Sequence, residues 1–278
     1  MKKNLLYLLL LTGLGALLTV AACKKDDDKN TTPNNNNNNN NSNNNNNTAV
    51  DPAITPGAAG SVVFSYSGAQ VTYATVRAKD GKIWLQQNLG AARVATSATD
   101  ASAYGDLYQW GRWADGHQVR TPAPAVKSPS TLSANNPSGL PSGGSADYIS
   151  GWWSSGVSSD KWTASAPGSV TATNGYDPCK ALGTGWHMPS DAEWTAVVDE
   201  EGITNNSTAF SSNLKIPTGG WRLTNSASIS SAGSSSWYWS STATSAGVAK
   251  GVWIQAGSVQ KSYGDTRAYG TSVRCVKD

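Results

Sequence analysis

The side chains able to do chemistry are few and unusually placed. There are only two histidines, His117 and His187, and three cysteines, Cys23, Cys179 and Cys275. None has the spacing of a zinc-protease helix, a paired-cysteine redox motif or a cysteine nucleophile. His187 stands between Trp186 and Met188 just ahead of a helix start, a place for packing or capping rather than catalysis. Ser190, followed three residues on by Glu193, is a capping box: each side chain satisfies a free backbone N–H at the other's position. Glu193 therefore reads as structural, and Glu200 with Glu201 as a solvated helix end. No acidic loop has the form of a calcium EF-hand. Carboxylate pairs of the glycosidase kind are set by the fold and leave no local signature. The sequence implies no cofactor and no metal.

Cys23 has a different chemistry. Lys2 and Lys3 precede an apolar run from Leu5 to Leu18, which ends in Val20-Ala21-Ala22-Cys23. Small residues before a cysteine at this point resemble a bacterial lipobox. Residues 1–22 then read as a lipoprotein signal peptide and Cys23 as the acylated first residue, rather than as an uncleaved membrane span. Acyl chains on Cys23 make the membrane a partner of the chain. Lys24-Lys25-Asp26-Asp27-Asp28 behind it resembles the export signal of Bacteroidetes surface lipoproteins. An outer-membrane lipoprotein exposed at the cell surface is expected, with the periplasmic face as the alternative. Cys179 and Cys275 remain, an even count in an oxidising compartment, and read as a structural disulfide. A metal-ligand pair or a redox couple stays open for them on spacing alone.

The elements that must position these residues follow from composition and periodicity. Residues 23–60 form a linker dominated by asparagine from Asn34 to Asn47. It has no apolar run to bury and is expected to be disordered. A coil of about 28 residues reaches roughly 30 Å and would hold the following domain off the membrane. Ala49 to Gly60, with Pro52 and Pro56, reads as its stiffer exit. The domain proper is placed at 61–278. Val62–Tyr66, Val71–Val76 and Ile83–Leu85 read as strands, the last two joined through Asp80-Gly81. Leu107, Trp110 and Tyr104 have helical spacing and predict a short helix over Tyr104–Arg112. A helix from Ser190 carries Trp194, Val197 and Val198 as its apolar stripe and ends at Gly202. Strands are expected around Trp221, at Tyr238–Ser240, Val248–Ile254, Ser258–Tyr263 and Ser272–Val276.

Residues 115–175 are too long for a structureless loop inside a compact domain and read as an insertion. They are rich in Pro, Ser, Gly and Thr, interrupted by Tyr148, Trp152, Trp153 and Trp162. These aromatics either pin the insertion to the body or form a stacking surface for a ligand. The whole chain carries twelve tryptophans and two phenylalanines, and a net charge of +3. No basic patch with interleaved aromatics is present, which argues against a nucleic-acid partner.

Six segments occur in an order that resembles one family: WLQQNL from Trp84, YGDLYQWGR from Tyr104, GWHMPSDAEW from Gly185, PTGGWR from Pro217, WYWSST from Trp237 and SVRCV from Ser272. Together they look like the Fibrobacter succinogenes major paralogous (FISUMP) domain, found in lipoproteins of Bacteroidetes, over about residues 70–278 apart from the insertion. The stretch from Cys179 to Thr184 before Gly185-Trp186 is longer than that family's usual spacing. The domain is similar to the C-type-lectin-like superfamily. The resemblance implies an α+β fold with a twisted antiparallel sheet, few short helices, long loops and chain ends close together. The lectins' calcium motifs are absent, and the family offers no catalytic residues to carry over.

The expected function is a non-catalytic, surface-displayed binding or adhesion module for a glycan or a host or matrix protein, with Tyr148, Trp152, Trp153 and Trp162 as ligand-stacking residues. A polysaccharide-acting enzyme with unidentified carboxylates, or a structural part of a surface assembly, are the alternatives. Anchoring is directly testable. Metabolic labelling with a fatty acid should tag the native chain and not Cys23→Ser, and equal labelling of both would refute acylation at this residue.

Overall fold

In the computed structural model, residues 48–128, 135–154 and 161–278 are described. The signal segment, Cys23 and the asparagine tract lie outside the described residues. Along the chain come β1 (Ala59–Tyr66), β2 (Ala69–Arg77), β3 (Ile83–Leu85) and β4 (Tyr108–Gln109). The insertion holds β5 (Val126–Lys127), β6 (Tyr148–Ile149), β7 (Lys161–Ala164) and β8 (Asn174–Tyr176). Then follow β9 (Trp186–His187), α1 (Asp191–Glu201), α2 (Asn206–Ser211), β10 (Trp221–Arg222) and β11 (Ile229–Ser230). The chain closes with β12 (Ser236–Ser245), β13 (Val248–Ile254), β14 (Val259–Thr266), β15 (Gly270–Thr271) and β16 (Val276–Lys277).

Among the described residues the fold is α+β: mostly antiparallel sheet with two short α-helices. A five-stranded sheet runs β1-β2-β3-β16-β9, a four-stranded one β11-β10-β15-β4 and a three-stranded one β12-β13-β14. The last strand thus sits inside the first sheet, between β3 and β9. The start of the body lies beside that strand: Val50 pairs with Ser61, and Lys277 of β16 forms an ion pair with Asp51. The expected linker exit is therefore folded onto the body: Pro52 is buried, and its carbonyl accepts from Arg77. No helix among the described residues is long and apolar enough to cross a membrane.

Helix α1 forms as its sequence dictates. Ser190 Oγ accepts from the Glu193 N–H, while Glu193 Oε2 accepts from the Ser190 N–H at 2.7 Å. Gly202 ends the helix with φ 70°, a left-handed cap that glycine adopts without a Cβ penalty. Trp194, Val197 and Val198 are buried against Trp84 and Tyr238, at 5.1 and 5.3 Å between ring centroids for Trp194. Glu201 is not solvated. It is buried and accepts from the N–H groups of Lys79 and Asn213 and from the Asn213 amide, tying a turn and a loop to the helix end. Helix α2 was not legible, because its apolar residues form no stripe; Asn205 caps it through two backbone N–H groups.

The expected helix over Tyr104–Arg112 is absent. Gly105 and Gly111 take φ 65° and 78°, outside the helical region, and Tyr108–Gln109 pairs with β15 instead. Leu107 and Trp110 are buried as their apolar character requires, but from turns. Of the expected strand over Ser272–Val276, Ser272 bridges Tyr238 of β12 and Val276 begins β16, with no strand between them. The middle residues reach β3 and the following loop, where Leu85 and Leu89 donate to the carbonyls of Cys275 and Val273.

Cys179 and Cys275 are disulfide-bonded, with Cα atoms 5.5 Å apart and both residues fully buried. Beside the bridge, the Asp177 carboxylate accepts from the N–H groups of Cys179 and Met188, both at 2.8 Å, pinning the turn to the strand β9 segment. The bridge closes a loop of 96 residues. In the chain-entropy account such a loop stabilises by about 4–5 kcal/mol. Cys275→Ser should lower stability by roughly that amount in chemical denaturation. Non-reducing mass mapping should find the Cys179–Cys275 peptide pair, and two free thiols in the folded chain would contradict the bridge.

Candidate functional site

The strongest candidate site is an aromatic recess on the three-stranded sheet. In a strand, residues two apart share a face, and Trp237 on β12 lies directly opposite Trp253 on β13. Across the next pair Tyr263 of β14 faces Gly251, which has no side chain to fill the space. A Cβ at Gly251 would come within 2.8 Å of the Trp237 indole nitrogen and closer still to the Tyr238 carbonyl. The Trp237 ring can lie there only because residue 251 is glycine. Trp221 of β10 and Tyr269, in the turn before β15, close the remaining sides. Asp265 completes the lining, two residues beyond Tyr263 on β14, and the half-open cavity is about 100 Å³.

The rings stand as walls rather than as a platform. Trp221 meets Trp253 at 84° and Trp237 at 78°, and Trp237 meets Tyr263 at 77°, with centroids 5.3–6.4 Å apart. Trp237 is buried, while Trp221, Trp253, Tyr263, Asp265 and Tyr269 are half-buried. The indole nitrogens of Trp237 and Trp253 are covered and have no hydrogen-bond partner. The recess therefore offers ring surface more than donors. Asp265 accepts from the Thr266 N–H at 2.7 Å and the Tyr263 hydroxyl at 3.2 Å. Among the described residues no lysine or arginine forms an ion pair with it. Burial, and then the Asp265 carboxylate, push the phenols of Tyr263 and Tyr269 up, so both stay neutral.

The aromatics expected to bind ligand are elsewhere, and the structure corrects that reading. Tyr148, Trp152 and Trp153 are buried, with exposures of 0–1%. Tyr148 donates to the Ala268 carbonyl, Trp152 to the Trp110 carbonyl and Trp153 to the Ala172 carbonyl. A Cβ at Gly111 would lie 2.3 Å from the Trp153 ring, so that glycine is what admits it. Trp162 is half-buried and packs edge-on against Trp110 at 4.6 Å. These side chains pin the insertion to the body because their large apolar rings gain more from burial than from solvent contact. No sequence signal pointed to the recess: Trp237 and Trp253 flank a turn, but two register shifts between Trp239 and Ser245 are what set them opposite each other.

The polar groups that resemble catalytic parts are committed to structure. His117 is fully buried. Its Nε2 accepts from the Gln109 N–H at 3.0 Å, so its Nδ1 carries the proton and donates to Asp115 at 2.5 Å. Burial first, then the nearby Arg112 guanidinium, lower the His117 pKa to about 4, against the pull of Asp115. Asp115, though buried, is held well below the usual carboxylate range by His117 and Arg112. His187, Glu193 and Asp278 bring possible metal-ligating atoms within 4.8 Å of one another. The Lys82 ammonium, however, pairs with both Glu193 and Asp278, and His187 Nε2 bonds to Glu193 at 2.9 Å. The cluster already has its countercharge. Cys23 lies outside the described residues.

No family model, curated protein or solved structure matches this chain.

With two histidines in the protein, each can be followed alone by NMR. His117 should titrate near 4. His187 should titrate above its ordinary value, because the Glu193 carboxylate favours its charged form. A buried histidine that refuses a proton in the folded state stabilises fully above the unfolded value of 6.5. That contribution, about 3 kcal/mol, should be lost as pH falls from there towards 4. A His117 resonance titrating near 6.5 would contradict the buried network.

Proposed function

We propose that this chain is a non-catalytic binding module whose ligand enters the recess formed by Trp221, Trp237, Trp253, Tyr263 and Tyr269. The recess carries the proposal. Such a concave patch of half-exposed aromatic rings with a single acidic group suits recognition, because ring surface gives affinity and the polar group gives orientation. Acylation of Cys23 would place the module on the outer membrane, facing outward, with the asparagine-rich segment as its spacer. Its partners there would be a glycan or a protein of a host or matrix surface. A FISUMP domain of C-type-lectin-like fold accords with the last strand inside the main sheet, with Lys277 near Asp51, and with the capped helix packed on tryptophan. The lack of catalysis is supported by the state of both histidines: one has both ring nitrogens engaged inside the core, the other belongs to a helix cap.

The test is a glycan and matrix-protein array probed alongside a polysaccharide-hydrolysis screen. Binding without product release is expected. Trp253→Ala should abolish it with modest loss of stability, whereas Trp152→Ala should cost about 3–5 kcal/mol of stability through the cavity it leaves. Release of cleaved sugar by the native chain would overturn the non-catalytic reading. Ligand binding unaffected by Trp253→Ala would move the site away from the recess.

A further inference from the structure

We infer that the group held in the aromatic recess is a compact quaternary ammonium of the choline type. This deepens the binding-module reading and rests on it. Indole and phenol rings set at 54–84° to one another around a cavity of about 100 Å³ make a box for one small rounded group. A sugar ring seeks a flat face to stack on and donors for its hydroxyls. Here the walls cross at 54–84°, and the indole N–H groups of Trp237 and Trp253 are covered.

Charge selects among small groups. The faces of indole and phenol are negative, so a cation between them is attracted by several rings at once. Asp265 adds a full negative charge at the same place, and among the described residues no lysine or arginine pairs with it. The cost of desolvation then decides which cation. A primary ammonium is a compact, strongly hydrated charge and costs more to strip of its water than a methylated one. A trimethylammonium group has no N–H to satisfy and presents methyl groups to the rings, so its desolvation costs least. The lining is thus complementary to a cation clothed in methyl groups.

Isothermal titration of the full chain in a non-ionic detergent tests this, using choline and its neutral isostere 3,3-dimethylbutan-1-ol. Choline should bind at least about tenfold more tightly, the difference that a desolvated cation–aromatic contact supplies. Asp265→Asn keeps an oxygen for the Thr266 N–H and removes the charge. It should weaken choline by a similar factor and leave the isostere unchanged, with the melting temperature retained as the check on folding. Phosphocholine distinguishes the source of the group. Binding as tight as that of choline points to a lipid headgroup, and weaker binding to a free small molecule; both support the cage. Equal affinity for choline and the isostere would overturn the inference, as would choline binding indifferent to Asp265→Asn. If choline fails while an array glycan binds in a manner abolished by Trp253→Ala, the cation assignment falls and the binding module stands. If neither binds, both fall.

Discussion

Fully buried guanidinium groups hold this structure together. Arg112, Arg222, Arg267 and Arg274 are all inaccessible to solvent. Arg274 has no carboxylate partner in its hydrogen-bond set: it donates to Asn88 Oδ1 and to the carbonyls of Leu85 and Leu214. Arg222 donates to the carbonyls of His117, Val119 and Ala227. Arg267 lies over the rings of Trp110 and Trp153, at 4.5 and 4.9 Å. A chain with many two- and three-residue strands leaves loop carbonyls that no ladder satisfies, and buried orphans of this kind are costly. Arginine answers with five donors in a rigid fork. Taking a cation out of water costs several kcal/mol, but each bond to a charged donor returns about 1.5–3 kcal/mol, and ring faces add to that.

The tryptophans belong to the same solution. Trp84, Trp110, Trp152, Trp153, Trp194 and Trp239 are almost wholly buried. Several use the indole N–H to tie down a distant carbonyl: Trp110 to Ser240, Trp194 to Trp239, Trp239 to Tyr108. Phenylalanine could fill such volume but could not make the bond, which gives a physical reason for twelve tryptophans beside two phenylalanines. The recess is where this core reaches the surface of the three-stranded sheet. Its innermost ring, Trp237, packs on Trp239 at 4.9 Å in a tilted contact, so the wall of the recess is continuous with the packed interior. A site built in this way is rigid before any ligand arrives, which lowers the entropy of binding to be overcome.

The ionisable groups follow the same economy. Asp115 joins Arg112 to His117, Asp177 bonds two backbone N–H groups beside the disulfide, and Glu193 takes bonds from Ser190, His187 and Lys82. Burial works against the Glu193 carboxylate, yet His187 and Ser190 hold its pKa at about 2. These groups orient segments of chain. Asp265 differs from them: it lies in a half-open cavity, and no cation accompanies it in the ion pairs among the described residues.

Features governed by neighbours in the chain were legible in the sequence. The capping box at Ser190, the end at Gly202, the first three strands and the long hairpins all rest on interactions within a few residues, so their residue types suffice. The pairing of Cys179 with Cys275 was expected once Cys23 was read as acylated, though spacing alone left a metal or redox pair open until the fold brought the two together. What depended on distant partners was not legible. Gly105 and Gly111 cancelled the helical spacing around them because Asn88 and Leu89 crowd the space beside Gly105, and Trp153, far along the chain, that over Gly111. Trp152 and Trp153 read equally well as platform or anchor, and only the carbonyls of Trp110 and Ala172 decided that they are anchors. The recess itself draws its walls from β10, β12, β13, β14 and the turn at Tyr269. No local pattern relates those segments, since the angle between two rings is set by the register and twist of strands that meet only once the chain has folded.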